Sequence, residues 1–275
     1  MAGMLYLVPT PIGNLGDISQ RCREVLSQAD FIAAEDTRVT IKLLNYLGIK
    51  KSLVSYYEHN KTQRGGKILE RILAGETCAL VSDAGSPAIS DPGEDLVRQC
   101  ADAGVLVSAI PGPCAVITAL SISGLPTGRF TFEGFLSTAK KSRQSHLQDL
   151  ISETRTMIFY EAPHKLLSTL KDMAETFGGA RRISLCRELT KLHEEVVRTT
   201  LEEAVERYTE NPPKGEFVLV IAGAAPAEKT EVTLEEAAQR VQSLMEEGLS
   251  RKDAVRQTAQ ETGLPKNAVY DAALD

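Results

Sequence analysis

Short apolar runs alternate with amphipathic stretches through the first 124 residues, and this alternation restricts the fold more than any other feature. In the amphipathic stretch 61–73, for example, Ile68, Leu69, Ile72 and Leu73 have helical spacing. A chain that repeats strand and helix in this way is typical of a mostly parallel, doubly wound α/β sheet. The strands are predicted at 5–8, 31–34, 53–55, 79–81 and 105–110, and the helices at 19–28, 37–47, 61–73, 94–103 and after Pro113.

The pattern changes after the turn-rich segment 124–128. Two of the later strand candidates, 182–185 and 196–200, have no room for a helix between them, which predicts antiparallel pairing and a mixed sheet. A short linker at 224–230 precedes two or three helices in 233–275, where 248–256 and 261–270 have helix–turn–helix spacing. We predict an N-terminal parallel α/β domain (1–124), a mixed α/β domain (125–225) and a helical tail (226–275). The other strands are predicted at 130–135, 156–160 and 217–221.

The most informative loop follows the apolar run 78–81 and extends to residue 93. Open α/β sheets bind ligands at the carboxyl ends of their strands. The two glycines of this loop allow a ligand to approach the backbone, and its two prolines reduce the entropy that binding removes. We therefore expect a small-ligand site here, although Asp83 and Asp91 also suit plain turn chemistry.

Other predicted strand ends fall at the same sheet edge. The turn 9–14 has one glycine and matches neither a dinucleotide fingerprint nor a P-loop. In 34–38, Asp36 or Thr37 is suited to cap the following helix, while Glu35, Asp36 and Arg38 are placed to line the ligand site. The two interpretations are compatible, and both stay open.

Charge and cysteine content narrow the class of protein. The net charge of −6 argues against nonspecific coating of nucleic acid, but it allows a local basic surface. The five cysteines are scattered without a Cys-x-x-Cys pair, so neither a disulfide framework nor a metal site is supported. No apolar run approaches the roughly 18 residues of a membrane span, and the N-terminus has no signal-peptide pattern. We expect a cytoplasmic protein with no membrane partner.

Charged segments of the second half have less specific interpretations. His164, after the strand 156–160, is an ordinary surface or capping histidine by residue type alone. The charge pattern of the segment 187–195 is typical of a solvated hairpin. Two basic spots could each be a solvated face or an anion-binding surface: Lys140, Lys141 and Arg143 form the first, and Arg181, Arg182 and Arg187 form the second.

Several ordered blocks together resemble the ribosomal RNA small subunit methyltransferase I family, in the tetrapyrrole-methylase-like class of S-adenosylmethionine (SAM) methyltransferases. The resemblance covers roughly residues 4–223 and continues weakly into the tail. Small departures are Cys114, where serine is common, and Lys61, where an acidic residue is common. The resemblance implies two α/β domains of the tetrapyrrole methylase type with a small helical tail. The blocks are 5–14, 34–38, 82–93, 111–113, 119–126, 160–164, 187–191 and 214–217.

The resemblance implies transfer of a methyl group from SAM to the ribose 2′-hydroxyl of one cytidine of 16S rRNA, within the small ribosomal subunit. It also implies a homodimer and a donor folded into the cleft between two α/β domains. The residues implied to contact the donor are Pro11, Asp83, Ala84, Gly85, Ser86, Pro87, Ile89, the segment from Pro113 to Thr118, Phe135, Leu136, Glu161 and Ala162.

A ribose hydroxyl is a poor nucleophile, so a group that takes or polarises its proton should help. The candidates are Glu35, Asp36, Asp83 and Glu161, of which Asp36 and Glu35 rank first because the loop of Asp83 is assigned to the donor. Arg38 and the basic spots are candidates for RNA phosphates. On this hypothesis Asp36→Asn retains SAM binding and loses transfer.

Two alternatives remain at this point. The first is methylation of a tetrapyrrole or other small molecule by the same fold, although those enzymes lack the 233–275 tail and the 34–38 block. The second is a SAM-binding regulator without catalysis. The tail itself is as compatible with RNA binding as with packing.

Overall fold

The computed structural model describes residues 3–225 and 233–274. The chain forms two compact units, the first ending at Ala224 and the second starting at Ala225. The first unit contains two five-stranded sheets. The predicted linker 224–230 lies largely outside the described residues.

The first sheet is entirely parallel, in the order β3-β2-β4-β1-β5, which confirms the predicted doubly wound arrangement. Each element falls within a few residues of its predicted position. The strands are β1 (Met4–Leu7), β2 (Phe31–Ala34), β3 (Ser52–Ser55), β4 (Cys78–Val81) and β5 (Leu106–Ala109). The helices are α1 (Gln20–Gln28), α2 (Thr37–Leu47), α3 (Lys61–Leu73), α4 (Gly93–Asp102) and α5 (Ala115–Ile122).

The strands β2 and β4 are buried along their whole length because helices cover both faces of the sheet. Ile32 and Ala34 pack with residues of α1 and α2, whereas Phe31 and Ala33 pack with residues of α3 and α4. Two-sided burial explains why these strands read as continuous apolar runs instead of alternating patterns.

The second sheet is mixed, in the order β6-β7-β10-β8-β9. The pair β6–β7 is parallel and the other pairs are antiparallel, including β8–β9, as predicted from their short connection. The strands are β6 (Phe130–Phe135), β7 (Thr156–Glu161), β8 (Arg182–Arg187), β9 (Glu195–Thr200) and β10 (Phe217–Ile221). The helices are α6 (Lys140–Asp149), α7 (Pro163–Phe177) and α8 (Leu201–Glu210).

Helix α5 follows the first sheet in sequence but packs on the second sheet. Its Val116 and Leu120 lie in one buried cluster with Ile158 of β7 and Val220 of β10. The guanidinium of Arg198 on β9 donates to carbonyl oxygens at the carboxyl end of α5, where a cation complements the helix dipole. The predicted boundary after residue 124 falls between α5 and β6, so α5 links the two sheets.

The part of the second unit that the structure describes contains three helices, α9 (Leu234–Glu246), α10 (Arg251–Thr262) and α11 (Lys266–Ala272), in agreement with the two or three predicted. Thr233 and Glu236 form a capping box at the start of α9. Gly263, with φ of 73°, ends α10 and allows the turn into α11. Among the described residues, no helix is both long and apolar enough to cross a bilayer.

One member of the first basic spot has an internal role. Arg143 is buried, and its Nε donates to Asp172 Oδ2 at 2.6 Å. Its Nη1 donates to the carbonyl oxygens of Ser137 and Thr138. Lys140 and Lys141, in contrast, are exposed at the start of α6. Neither interpretation of the basic spot therefore describes Arg143, which joins α6 to α7.

Replacing Arg143 by alanine is expected to lower the free energy of unfolding by about 3–5 kcal/mol, because Asp172 would stay buried without its partner. The measurement is urea denaturation of the full chain. Lys141→Ala is the matched control, with an expected change within about 0.5 kcal/mol. Equal effects of the two substitutions would contradict a structural role for Arg143.

Candidate active site

A cavity of about 530 Å³ lies between the carboxyl edge of the first sheet and the second sheet. From the first sheet it is lined by Ile12, Glu35, the loop after β4 and the start of α5. From the second sheet it is lined by Phe135, residues 160–163, and the ends of β8 and β10. The small-ligand site predicted at the edge of the first sheet thus coincides with a cavity whose walls come from both sheets.

The 82–93 loop has an unusual backbone that Asp91 stabilises. Asp91 Oδ1 accepts hydrogen bonds from the backbone N–H groups of Ala88 at 3.0 Å and of Gly93 at 2.7 Å. Ala88 and Ser90 both have positive φ, 67° and 61°, which is uncommon for residues with a side chain and concentrates at functional sites. The turn role proposed for Asp91 is confirmed, and the residue also lines the cavity.

Backbone pairing ties this loop to the loop after β1. Thr10 and Gly85 exchange two hydrogen bonds, of 2.9 and 3.0 Å. Ser86 Oγ donates to the carbonyl oxygen of Pro113 at 3.0 Å, which adds the segment before α5. Gly85 has φ of 80°, and a Cβ atom there would lie 3.3 Å from Ile12. Glycine at this position is thus favoured by both backbone conformation and close packing.

Two carboxylates near the end of β2 have raised pKa values. Glu35 lines the cavity; burial raises its pKa, and the negative charge of Asp83 raises it further. The pKa of Asp83 is also raised, first by burial, although Asp83 Oδ1 accepts a 2.9 Å hydrogen bond from the backbone N–H of Asp36. Burial penalises the ionised form of each group, so Glu35 becomes a better proton acceptor than an exposed glutamate.

Asp36 has a different environment. Its Oδ1 accepts from the backbone N–H of Arg38 at 2.8 Å, which confirms the predicted N-cap of α2. The Arg38 guanidinium also binds both carboxylate oxygens, and these bonds lower the pKa of Asp36 to about 2. Asp36 and Arg38 lie beside the cavity and are not part of its lining.

Glu161 lines the cavity from the second sheet but is fully hydrogen-bonded within the protein. Thr169 Oγ1 donates to Oε2 at 2.6 Å, and the Ala162 backbone N–H donates to Oε1 at 2.8 Å. Next to it, the rings of Tyr160 and Phe135 lie 5.3 Å apart. This wall therefore offers aromatic surface, while the carboxylate holds the start of α7.

The predicted donor contacts divide into two groups. Asp83, Ala84, Gly85, Ser86, Ile89, Phe135, Glu161 and Ala162 line the cavity, together with Cys114 and Ala115 of the implied segment 113–118. Seven others lie outside the lining: Pro11, Pro87, Pro113, Val116, Ile117, Thr118 and Leu136. Leu136 belongs to the core of the second sheet, and Thr118 Oγ1 donates to Cys114 within α5. Contact of either group with a donor stays a prediction.

Lys191, which no local sequence signal marked, is the single Lys or Arg among the described residues that line the cavity. Its Nζ donates to Glu188 at 2.8 Å and to Glu216 at 2.9 Å. A Cβ atom on Gly13 would lie 2.4 Å from Lys191 Cγ, so this side chain packs on the loop after β1. The solvated-hairpin interpretation of 187–195 is therefore wrong for Lys191; only the family blocks at 187–191 and 214–217 had marked this region.

An all-parallel sheet and a mixed sheet that enclose one cavity define the tetrapyrrole methylase class of fold. Residues 4–205 match the family model for Tetrapyrrole (Corrin/Porphyrin) Methylases, and residues 231–275 match that for the RsmI C-terminal HTH domain. The crystal structure of uroporphyrin-III C-methyltransferase from Thermus thermophilus complexed with S-adenosyl homocysteine is similar, with a TM-score of 0.57 at 17% identity over 80% of this chain and 97% of that chain.

Curated relatives are much more similar in sequence. Ribosomal RNA small subunit methyltransferase I of Synechocystis sp. is 51% identical over 99% of this chain and 98% of its own length. The protein of the same name from Escherichia coli O157:H7 is 45% identical over 99% of this chain and 95% of its own. The chain belongs to the ribosomal RNA small subunit methyltransferase I family of the tetrapyrrole methylases. The family and fold expected from the sequence are confirmed, as is SAM as the family's methyl donor.

Asp91→Ala is expected to lower the free energy of unfolding by about 1–3 kcal/mol, because two backbone N–H groups lose their acceptor. Asp91→Asn keeps an oxygen at the same place and should have a smaller effect. Chemical denaturation of both variants checks this. If the two variants are equally destabilised, the charge of Asp91 matters and its acceptor role does not.

Proposed function

We propose that this chain transfers a methyl group from SAM to the ribose 2′-hydroxyl of a specific cytidine of 16S rRNA in the small ribosomal subunit. The observation that carries the proposal is a partly buried carboxylate with a raised pKa, Glu35, on the wall of the cavity. The names of the relatives support rRNA as the substrate. A cytoplasmic location follows from that partner.

The cavity suits SAM in size and charge. Its volume of about 530 Å³ is in the usual range for small-molecule sites. Its lining has five carboxylates and one ammonium group, an excess of negative charge that favours a cationic ligand. SAM, when bound, supplies a methyl carbon activated by an adjacent positively charged sulfur. The carboxylates are those of Glu35, Asp83, Asp91, Glu161 and Glu216.

Among the lining carboxylates, Glu35 fits the role of proton acceptor best. Both oxygens of Glu161 accept hydrogen bonds from the protein, Asp91 Oδ1 accepts two from its own loop, and Glu216 pairs with Lys191. Asp83 accepts from the backbone of Asp36 and so holds the ends of β2 and β4 together. The low pKa of Asp36 makes that carboxylate a weak base, so we place Glu35 ahead of it.

Substitution of Glu35 by glutamine should lower kcat by roughly 10²–10⁴-fold, while the Kd for SAM changes little. The wild-type rate should fall as the pH drops through the raised pKa of Glu35, because a protonated carboxyl cannot accept the proton. That acidic limb should disappear in the variant. Stopped-time methylation assays across pH and calorimetric titration with SAM measure the two effects.

Asp36→Asn is the matched control, since it changes the neighbouring carboxylate to an amide. Retained transfer in Asp36→Asn with loss in Glu35→Gln supports the assignment. The reverse result, with SAM binding retained, would return the role of base to Asp36, as the sequence hypothesis had it. Loss of both binding and transfer in Asp36→Asn would make Asp36 structural.

The substrate is tested with radiolabelled SAM and small subunits from a strain that lacks the modification. We expect label in the rRNA, recovered as 2′-O-methylcytidine after nuclease digestion and mass spectrometry. Label only in an added tetrapyrrole precursor would support the small-molecule alternative. Tight SAM binding without transfer to either would support a regulator.

The proposal also implies which exposed basic residues would contact the phosphates of rRNA. Arg38, whose side chain is 86% exposed, is a candidate for rRNA phosphates, as are the exposed residues Lys140, Lys141 and Arg182. Arg187 is half-buried and pairs with Glu195, whereas Arg38 stays exposed although it pairs with Asp36. Homodimer formation stays a prediction, and RNA binding and packing stay equal alternatives for the helical tail.

A further inference from the structure

Two aromatic side chains lie together at the carboxyl edge of the first sheet, outside the cavity lining. Tyr57 and His59 follow β3 directly, and both are exposed. Their ring centroids are 6.3 Å apart, with an angle of 82° between the planes. Tyr57 is 41% exposed, so its ring surface is in part open to solvent.

The turn that carries these rings is held in place by Asn60. Asn60 Oδ1 accepts from the Tyr57 backbone N–H at 2.9 Å, and Asn60 Nδ2 donates to the Ser55 carbonyl at 3.2 Å. The Asn60 backbone N–H also donates to the Tyr57 carbonyl at 2.9 Å. Because the turn is ordered by these bonds, a group that packs on the rings costs little backbone entropy.

The turn is fixed beside the end of β2, where Glu35 lies. The Tyr56 backbone N–H donates to the Ala34 carbonyl at 2.8 Å. The Tyr56 hydroxyl donates to the Pro92 carbonyl at 3.0 Å, within the core. Tyr56 thus connects the exposed turn both to the strand that carries the proposed base and to the end of the 82–93 loop.

One arginine beside the turn has no carboxylate partner among the described residues. Arg64, in the first turn of α3, is exposed and forms no ion pair with any of them, whereas Arg38, at the start of α2, is exposed but pairs with Asp36. Lys61 Nζ lies 2.7 Å from Glu58 and 2.8 Å from Asp95, and Arg98 also pairs with Asp95, so two cations compensate these two carboxylates. Exposed aromatic rings and arginines on the same surface are a combination with which proteins bind unpaired nucleotides.

We propose that Tyr57 and His59 form a stacking platform for an unpaired nucleobase of rRNA next to the acceptor nucleotide. The inference rests on the proposed function and adds to it a surface that selects RNA. The Tyr57 ring stacks on the base, His59 supports the ring from the side, and Arg38 and Arg64 face the adjoining phosphates.

The test compares Tyr57→Ala, Tyr57→Leu and Tyr57→Phe in the full chain. Loss of the flat ring should raise the KM and the Kd for small subunits roughly five- to 100-fold in the Ala and Leu variants. Tyr57→Phe should stay close to wild type. The Kd for SAM and the melting temperature should not change in any variant. Binding is measured with small subunits that lack the modification, by sedimentation without SAM, so that this readout does not depend on transfer.

Tyr46→Ala is the matched control, because Tyr46 is 60% exposed but lies near the other end of α2. Equal subunit affinity of Tyr57→Ala and Tyr46→Ala would overturn the stacking platform even if wild-type methylation of rRNA is normal. If the wild type binds subunits but does not label rRNA, the proposed function fails and the affinity comparison still decides on Tyr57. Absence of any subunit binding overturns both.

Discussion

The parallel register of β1, β2 and β4 is the constraint on which the site depends. Leu7 lies opposite Leu80, and Ala34 lies opposite Val81, so the three strands end at one level. Their following loops therefore meet at a single edge, where the paired backbones of Thr10 and Gly85 lock two of them together. The cavity exists because the second sheet faces this edge.

The carboxylates at that edge differ in pKa because their surroundings differ. Asp36 is in contact with a guanidinium and has a low pKa, whereas Glu35, one residue earlier, is partly buried near other acids and has a raised pKa. A carboxylate that must stay ionised as a helix cap and one that can exchange a proton can thus be adjacent in sequence.

Local sequence signals were sufficient to predict the helices and strands of the fold. The bounds of α2 and α3 agree with the predicted helices, since their apolar spacing and the capping side chain of Asp36 are local signals. The antiparallel pair β8–β9 followed from a connection too short for a helix. The 82–93 loop was recognisable for the same reason, because strand end, glycine and proline are neighbours in the chain.

Contacts between distant segments were decided only by the tertiary structure. The sequence alone predicted the two sheets, the parallel arrangement of the first, one antiparallel pair of the second, and the sheet edge at which the cavity lies. It did not determine that α5 packs on the second sheet, that Arg143 is buried against Asp172, or that Lys191 lines the cavity. Each of these depends on which surfaces meet after the elements have formed. A charged side chain looks the same in sequence whether water or a buried carboxylate is its partner.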